Sequence, residues 1–129
     1  QVATAPVNHK SPLFAKELLE KAISSAGIDG ALFVNTEGLV VESEWTLRLD
    51  STVCGATLSD VVNALNEELL RSAFGCIETI LIETDPYTFF MARVSDGVLL
   101  FVANTSANLG SLRMRVENLL GRYRPQNED

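Results

Sequence analysis

Glu42 and Glu44, then Glu78, Glu83 and Asp85, recur at alternating or nearly alternating positions through otherwise apolar stretches of the chain. Carboxylates brought together in pairs can share acid and base roles, because each raises the proton affinity of the other. The alternation here is that of strands with one face in water, where carboxylates are solvated rather than coupled. His9, the single histidine, sits in a small, polar, proline-bearing N-terminal stretch and offers no base to the rest of the chain. Cys54 and Cys76 fall in no metal-ligand or redox spacing and read as free thiols of a reducing cytoplasm, the alternative of a disulfide between them having no supporting signal. Arg71 and Arg93 are the interior arginines to consider as a finger for nucleotide hydrolysis. Such a residue must be exposed, mobile and delivered to a nucleotide, and Arg71 falls in the middle of a helical pattern. Neither a phosphate loop of the GxxxxGK[ST] or GxGxxG kind nor a GxSxG nucleophile elbow occurs. By elimination the chain reads as a binding module without a cofactor or metal rather than as an enzyme.

Composition narrows the partner. A formal net charge of −7 argues against nucleic acid, since phosphate contacts need clustered Lys and Arg. Arg113, Arg115, Arg122 and Arg124 do cluster, but at the end of a helical pattern, where positive charge suits the helix dipole. No apolar run approaches the roughly 18 residues of a membrane span, and no signal-peptide pattern is visible. The chain starts at Gln1 rather than Met, as an excised domain or a trimmed chain would. An apolar content of 47% in 129 residues is enough for one domain with a core that needs neither metal nor disulfide.

The elements that would position these residues follow from periodicity. Ser11 and Pro12 make a helix start, and Gly27 closes the helix they open. Ala31–Val34 and Leu39–Trp45 flank Asn-Thr-Glu-Gly and predict a hairpin, its first strand interior and its second, alternating one at an edge. A long amphipathic helix spans Thr57 to Phe74, with Thr57 and Asp60 as a capping box or with a start as early as Asp50 or Ser51. Cys76–Thr84 and Tyr87–Val94 are joined by Asp85-Pro86, and Asp96-Gly97 leads into Val98–Ala103, whose VLLFVA predicts the central strand. Gly30, Gly38 and Gly97 stand at strand starts or turns, where positive φ is the expected need. Asn108 caps a last helix. The fold class is therefore α+β, α/β in the broad sense. It is a three-layer sandwich with a five-stranded antiparallel sheet and the order α-β-β-α-β-β-β-α.

The long helix has more apolar surface than one contact needs. At about 100° per residue, Leu58, Val61, Val62, Leu65, Leu69 and Ala73 form one stripe, and Leu70 and Phe74 turn onto a second flank. Surplus of that kind in a short chain is expected to meet a second copy. The apolar strand carrying Ile77, Ile80, Leu81 and Ile82 would invite aggregation if left as an open edge, and pairing with a mate removes the liability. Asp60, Glu67, Glu68 and Arg71 form the opposite, polar side.

The segments GIDGALFVNTEGLVVES, GVLLFVAN and NLGSLRMRVENLL, taken with the long helix, resemble a roadblock / dynein light-chain domain of the bacterial or archaeal small-GTPase-regulating branch. The resemblance covers about Ser11 to Arg122, and is most specific in the Gly30–Val41 hairpin and in Asn108-Leu109-Gly110. It implies a fold related to profilin and longin, with a tail at 1–10, a domain at 11–123 and a tail at 124–129. It implies dimers, homo- or heterodimeric, whose second helices lie side by side and whose third strands pair edge to edge. Leu58, Val62, Leu65, Leu69, Leu70, Phe74, Ile77, Ile80, Leu81 and Ile82 would form that interface. Family members bind and regulate small Ras-like GTPases or act as scaffolds, and in this branch the helical face meets the switch regions without donating an arginine finger. No partner-contacting residue matches a family motif, so Asp60, Glu67, Glu68 and Arg71 are named as the partner surface from helical geometry alone. The alternative is a small-ligand sensor or dimerisation module of a larger signalling protein, which would need a pocket lined by apolar residues with a few polar groups.

Overall fold

Three uninterrupted apolar runs, ALFV, FFMA and VLLFVA, leave no polar face to any strand they form, so the sheet must be covered on both sides. The computed structural model, which describes residues 13–24, 27–104 and 109–123, shows that arrangement. In chain order the elements are α1 (Leu13–Ile23), β1 (Ile28–Asn35), β2 (Val40–Trp45), α2 (Ser51–Arg71), β3 (Thr79–Glu83), β4 (Tyr87–Val94), β5 (Gly97–Asn104) and α3 (Leu109–Tyr123). The strands form one antiparallel sheet in the order β2-β1-β5-β4-β3, with β5 central as its sequence predicts. The helix start at Ser11 and Pro12, the Asn108 cap and the two tails lie outside the described residues.

Alternation along the strands sorts the core into two halves. Ala31, Phe33, Phe90, Leu99 and Phe101 point to one face, where Leu18 and Leu19 of α1 and Leu112, Val116 and Leu120 of α3 close over them. Leu32, Val34, Phe89, Met91, Leu100 and Val102 point to the other, which α2 covers through Val62. The three layers are thus two helices, the sheet, and a single helix.

The β1–β2 connection is held by Asn35, whose Oδ1 accepts the main-chain N–H groups of Glu37 at 2.9 Å and Leu39 at 3.1 Å. Gly38 and Gly97 have the positive φ expected of them, +86° and +153°. Gly30 does not. What it needs is space, because a Cβ there would come within 2.6 Å of the Trp45 ring.

The second helix begins earlier than its apolar stripe. Asp50 is the N-cap, its carboxylate accepting the N–H groups of Thr52 and Val53 at 2.9 and 3.1 Å, so Thr57 and Asp60 lie inside the helix rather than at its cap. The other end closes with paired bonds: Phe74 N–H donates to Leu69 O at 2.8 Å, and Ala73 N–H donates to Leu70 O at 3.0 Å. This 6→1 and 5→2 pattern needs a left-handed residue after the helix, and Ala73, at φ +65°, occupies the position usually filled by glycine. The third strand is shorter than its apolar run, because Cys76, Ile77 and Glu78 precede it as an irregular lead-in.

Candidate partner surface on the second helix

The line of α2 that faces the sheet is Gly55, Ser59, Val62 and Asn66, spaced four, three and four residues apart. Three of these are small or polar. A Cβ on Gly55 would fall 2.6 Å from Val40 Cγ2 and 3.1 Å from Val34 Cγ2, so the helix is seated where only a glycine fits. Because the helix lies so close, the bulky residues are displaced to its sides. Val62 is the member of the expected interface that this arrangement withdraws: at 1% exposure it packs in the protomer's own core.

One flank carries Cys54, Leu58, Val61, Leu65 and Leu69, all half-buried or exposed, with Leu65 at 42%. Leu58 and Cys54 pack against the same cluster as Ile80, Ile82 and Tyr87, so this flank continues onto the sheet surface beyond the helix. Ile80 and Ile82 lie opposite Met91 and Phe89 on that surface and remain half-buried. Leu81 alternates to the other face, opposite Phe90, and is exposed. Ile77 precedes β3, and its N–H donates to Asn66 Oδ1 at 2.7 Å. Leu70 stands about 100° around the helix from Leu69, on the side of Asn66 and Glu67. Leu70 is 51% exposed on that second flank of α2, and Phe74, beyond the end of the helix, is 78% exposed.

Asp60, Glu67, Glu68 and Arg71 are all exposed. Arg71 donates to Glu68 at 2.7 Å across one helical turn, with both side chains about two-thirds exposed, so the pair adds little stability. Glu67 is set apart from the other three. With Asn63 and Asn66 it lines an open polar cleft of about 330 Å³ between α2 and the turns at Asn35–Thr36 and Arg93–Val98. Sequence reasoning missed this cleft. Its only signal was the presence of Asn at positions 63 and 66, within the apolar and charged second half of the helix.

Reactive groups do not converge here. Burial pushes the Cys54 thiol above its ordinary pKa, which keeps it protonated and a poor nucleophile. Among the described residues no three His, Cys, Asp or Glu side chains are placed to hold a metal, and no helix is long and apolar enough to cross a membrane.

Comparison with known proteins places the fold in a family. Protein MJ0310 of Methanocaldococcus jannaschii, itself uncharacterized, is 26% identical over 91 residues, which are 70% of this chain and 80% of that protein. Myxococcus xanthus MglB superimposes with a TM-score of 0.75 at 16% identity, covering 85% of this chain and 91% of that one. A Roadblock/LC7 domain from Streptomyces avermitilis gives 0.70 at 20% identity, covering 85% and 94%. An MglB structure described as having a tetrameric arrangement gives 0.63 at 17%, covering 82% of each chain. The family model of the Roadblock/LC7 domain matches residues 14–104, and the chain belongs to that family.

Proposed function

We propose that this chain is a non-enzymatic, dimeric regulator or scaffold that binds a small Ras-like GTPase in the cytoplasm and modulates its nucleotide cycle or localisation. The observation that carries the reading is the division of α2 between an apolar flank and a polar outer side. Leu58, Leu65 and Leu69 join Ile80 and Ile82 in a surface that runs toward β3, which ends the sheet and has an open outer edge among the described residues. A second copy brought against that surface covers the leucines, pairs the two β3 edges and sets two α2 helices side by side. The polar sides then form a shared, mainly acidic platform of Asp60, Glu67, Glu68 and Arg71. Membership of the Roadblock/LC7 family supports a GTPase as the partner, and the tetrameric arrangement described for MglB supports self-association.

An acidic platform of this kind acts on the encounter rate, by steering a partner with basic residues, and its effect weakens with salt. The test is a binding titration against a Ras-like GTPase encoded in the same genome, in its GDP and GTP forms. Wild-type chain should bind, with an association rate that falls as salt rises. Glu67→Lys with Glu68→Lys should keep the dimer and lose most of that rate. Unchanged affinity and salt dependence in the double variant would move the contact off α2.

A further inference from the structure

Asn35 and Asn66 are each only 6% exposed, and both line the polar cleft beside α2. Their oxygens are committed to the fold. Asn35 Oδ1 accepts from Glu37 and Leu39, and Asn66 Oδ1 accepts from Ile77. These bonds fix which end of each carboxamide is oxygen, and therefore where each NH2 group lies. Neither NH2 group has a protein partner among the described residues. Yet no buried side-chain nitrogen or oxygen among the described residues is sealed away unpaired. The two NH2 groups therefore reach solvent, and the cleft is the opening that both residues line. Asn63 and Thr36, which make no hydrogen bond through their side chains, add donors at the rim.

We propose that this cleft is a peptide main-chain recognition site, taking the backbone carbonyls of a short extended segment of the protein partner. The chemistry selects the ligand. Four N–H donors on two nearly buried carboxamides call for acceptors, and a main-chain carbonyl offers two lone pairs. The charge selects a neutral acceptor over a carboxylate. Glu67 and Arg93 line the cleft with one charge of each sign, and the chain as a whole carries −7, so nothing favours an anion there. About 330 Å³ is at the small end of ligand sites, the scale of a short peptide segment rather than of a large cofactor. Water satisfies these donors by default, and a carbonyl that replaces it preserves the hydrogen bonds. The proposal deepens the platform described above, since Glu67 belongs to both. It depends on that reading only for which protein supplies the segment.

The test uses the side-chain NH2 signals of Asn35 and Asn66 in nitrogen-15 correlation spectra of the full chain. The probes are N-acetyl-glycyl-glycine N-methylamide, a neutral stretch of backbone, and sodium acetate. The peptide should shift both pairs of signals together and saturably, and acetate should not. Asn35→Asp and Asn66→Asp each keep an oxygen for the main-chain N–H groups but remove the donors. Each should weaken peptide binding about tenfold, with the melting temperature holding close to wild type. Thr36→Phe, at an exposed rim position, should block the cleft without touching either bond. Shifts that never saturate, an equal response to acetate, or wild-type affinity in both Asp variants would overturn the proposal. If the peptide saturates but no GTPase binds, the cleft stands and the GTPase reading falls. If the GTPase binds wild type and Thr36→Phe equally and the peptide signals stay still, the reverse holds.

Discussion

Asn66 Oδ1 accepts the main-chain N–H of Ile77 at 2.7 Å, tying the second-to-last turn of α2 to the chain that enters β3. The helix and the edge strand are the two elements proposed to meet a second copy, and this bond sets the position of one against the other. Asn66 is nearly buried, so the bond is protected from water. Asn66→Ala leaves a partly buried N–H without its acceptor and should destabilise the protein by about 1–3 kcal/mol. Asn66→Asp keeps an acceptor there and should cost clearly less. Urea unfolding of the two variants under one set of conditions checks the order, and equal losses would show that the bond is not what matters at this site.

Ala73 occupies a left-handed backbone position at φ +65°, held by the Phe74-to-Leu69 and Ala73-to-Leu70 bonds that close α2. A side chain with a Cβ costs roughly 1–2 kcal/mol in that conformation, whereas glycine enters it freely but has more freedom to lose on folding. The residue is exposed, so no packing is lost with its methyl group. Ala73→Gly should raise stability by about 1 kcal/mol. The melting temperature measures it, and a fall on substitution would place the strain elsewhere.

The two thiols should separate by reactivity. Cys76 is exposed, whereas Cys54 is half-buried on the apolar flank, where desolvation raises its pKa. Iodoacetamide at neutral pH should therefore modify Cys76 well before Cys54. The raised pKa also gives stability a pH dependence with a defined sign. The folded state holds the Cys54 proton more tightly than the unfolded state does, so this contribution is intact below the ordinary thiol value of about 8.5. It is lost as pH rises from there through the higher folded value. Cys54→Ser, with no thiol to ionise, should flatten that alkaline decline, and an unchanged pH profile would exclude Cys54 as its source.

How much was legible in the sequence depended on whether burial and bulk coincided. In β1, β4 and β5 they did: Ala31–Val34, Phe89–Ala92 and Val98–Ala103 are apolar because both faces are covered, and these three are the interior strands of the sheet. In α2 they did not. The helix lies so close to β1 and β2 that its inward line is Gly55, Ser59, Val62 and Asn66, and the apolar stripe seen by periodicity is largely a flank. The same fact left the first turns without a clear apolar pattern, so the sequence offered two starts, at Thr57 and at Asp50 or Ser51, and the structure takes the earlier one. It also placed Val62 in the expected interface, although the sheet covers it. The cleft was not legible, because Asn35 and Asn66 act through the folded placement of their side chains, with a turn, β2 and most of α2 between them in sequence.

The central claim is that the apolar flank of α2 and the sheet beside β3 bury against a second copy of the chain. Sedimentation equilibrium at low micromolar concentration tests it most directly, with wild type beside Leu65→Glu combined with Ile82→Glu. Leu65 and Ile82 are partly exposed within one protomer, so the double variant should keep its circular dichroism and cooperative unfolding. Wild type should sediment at twice the chain mass of 14.0 kDa, and the double variant at the chain mass itself. A wild type that sediments as a monomer, or a double variant that remains a dimer, would contradict the account.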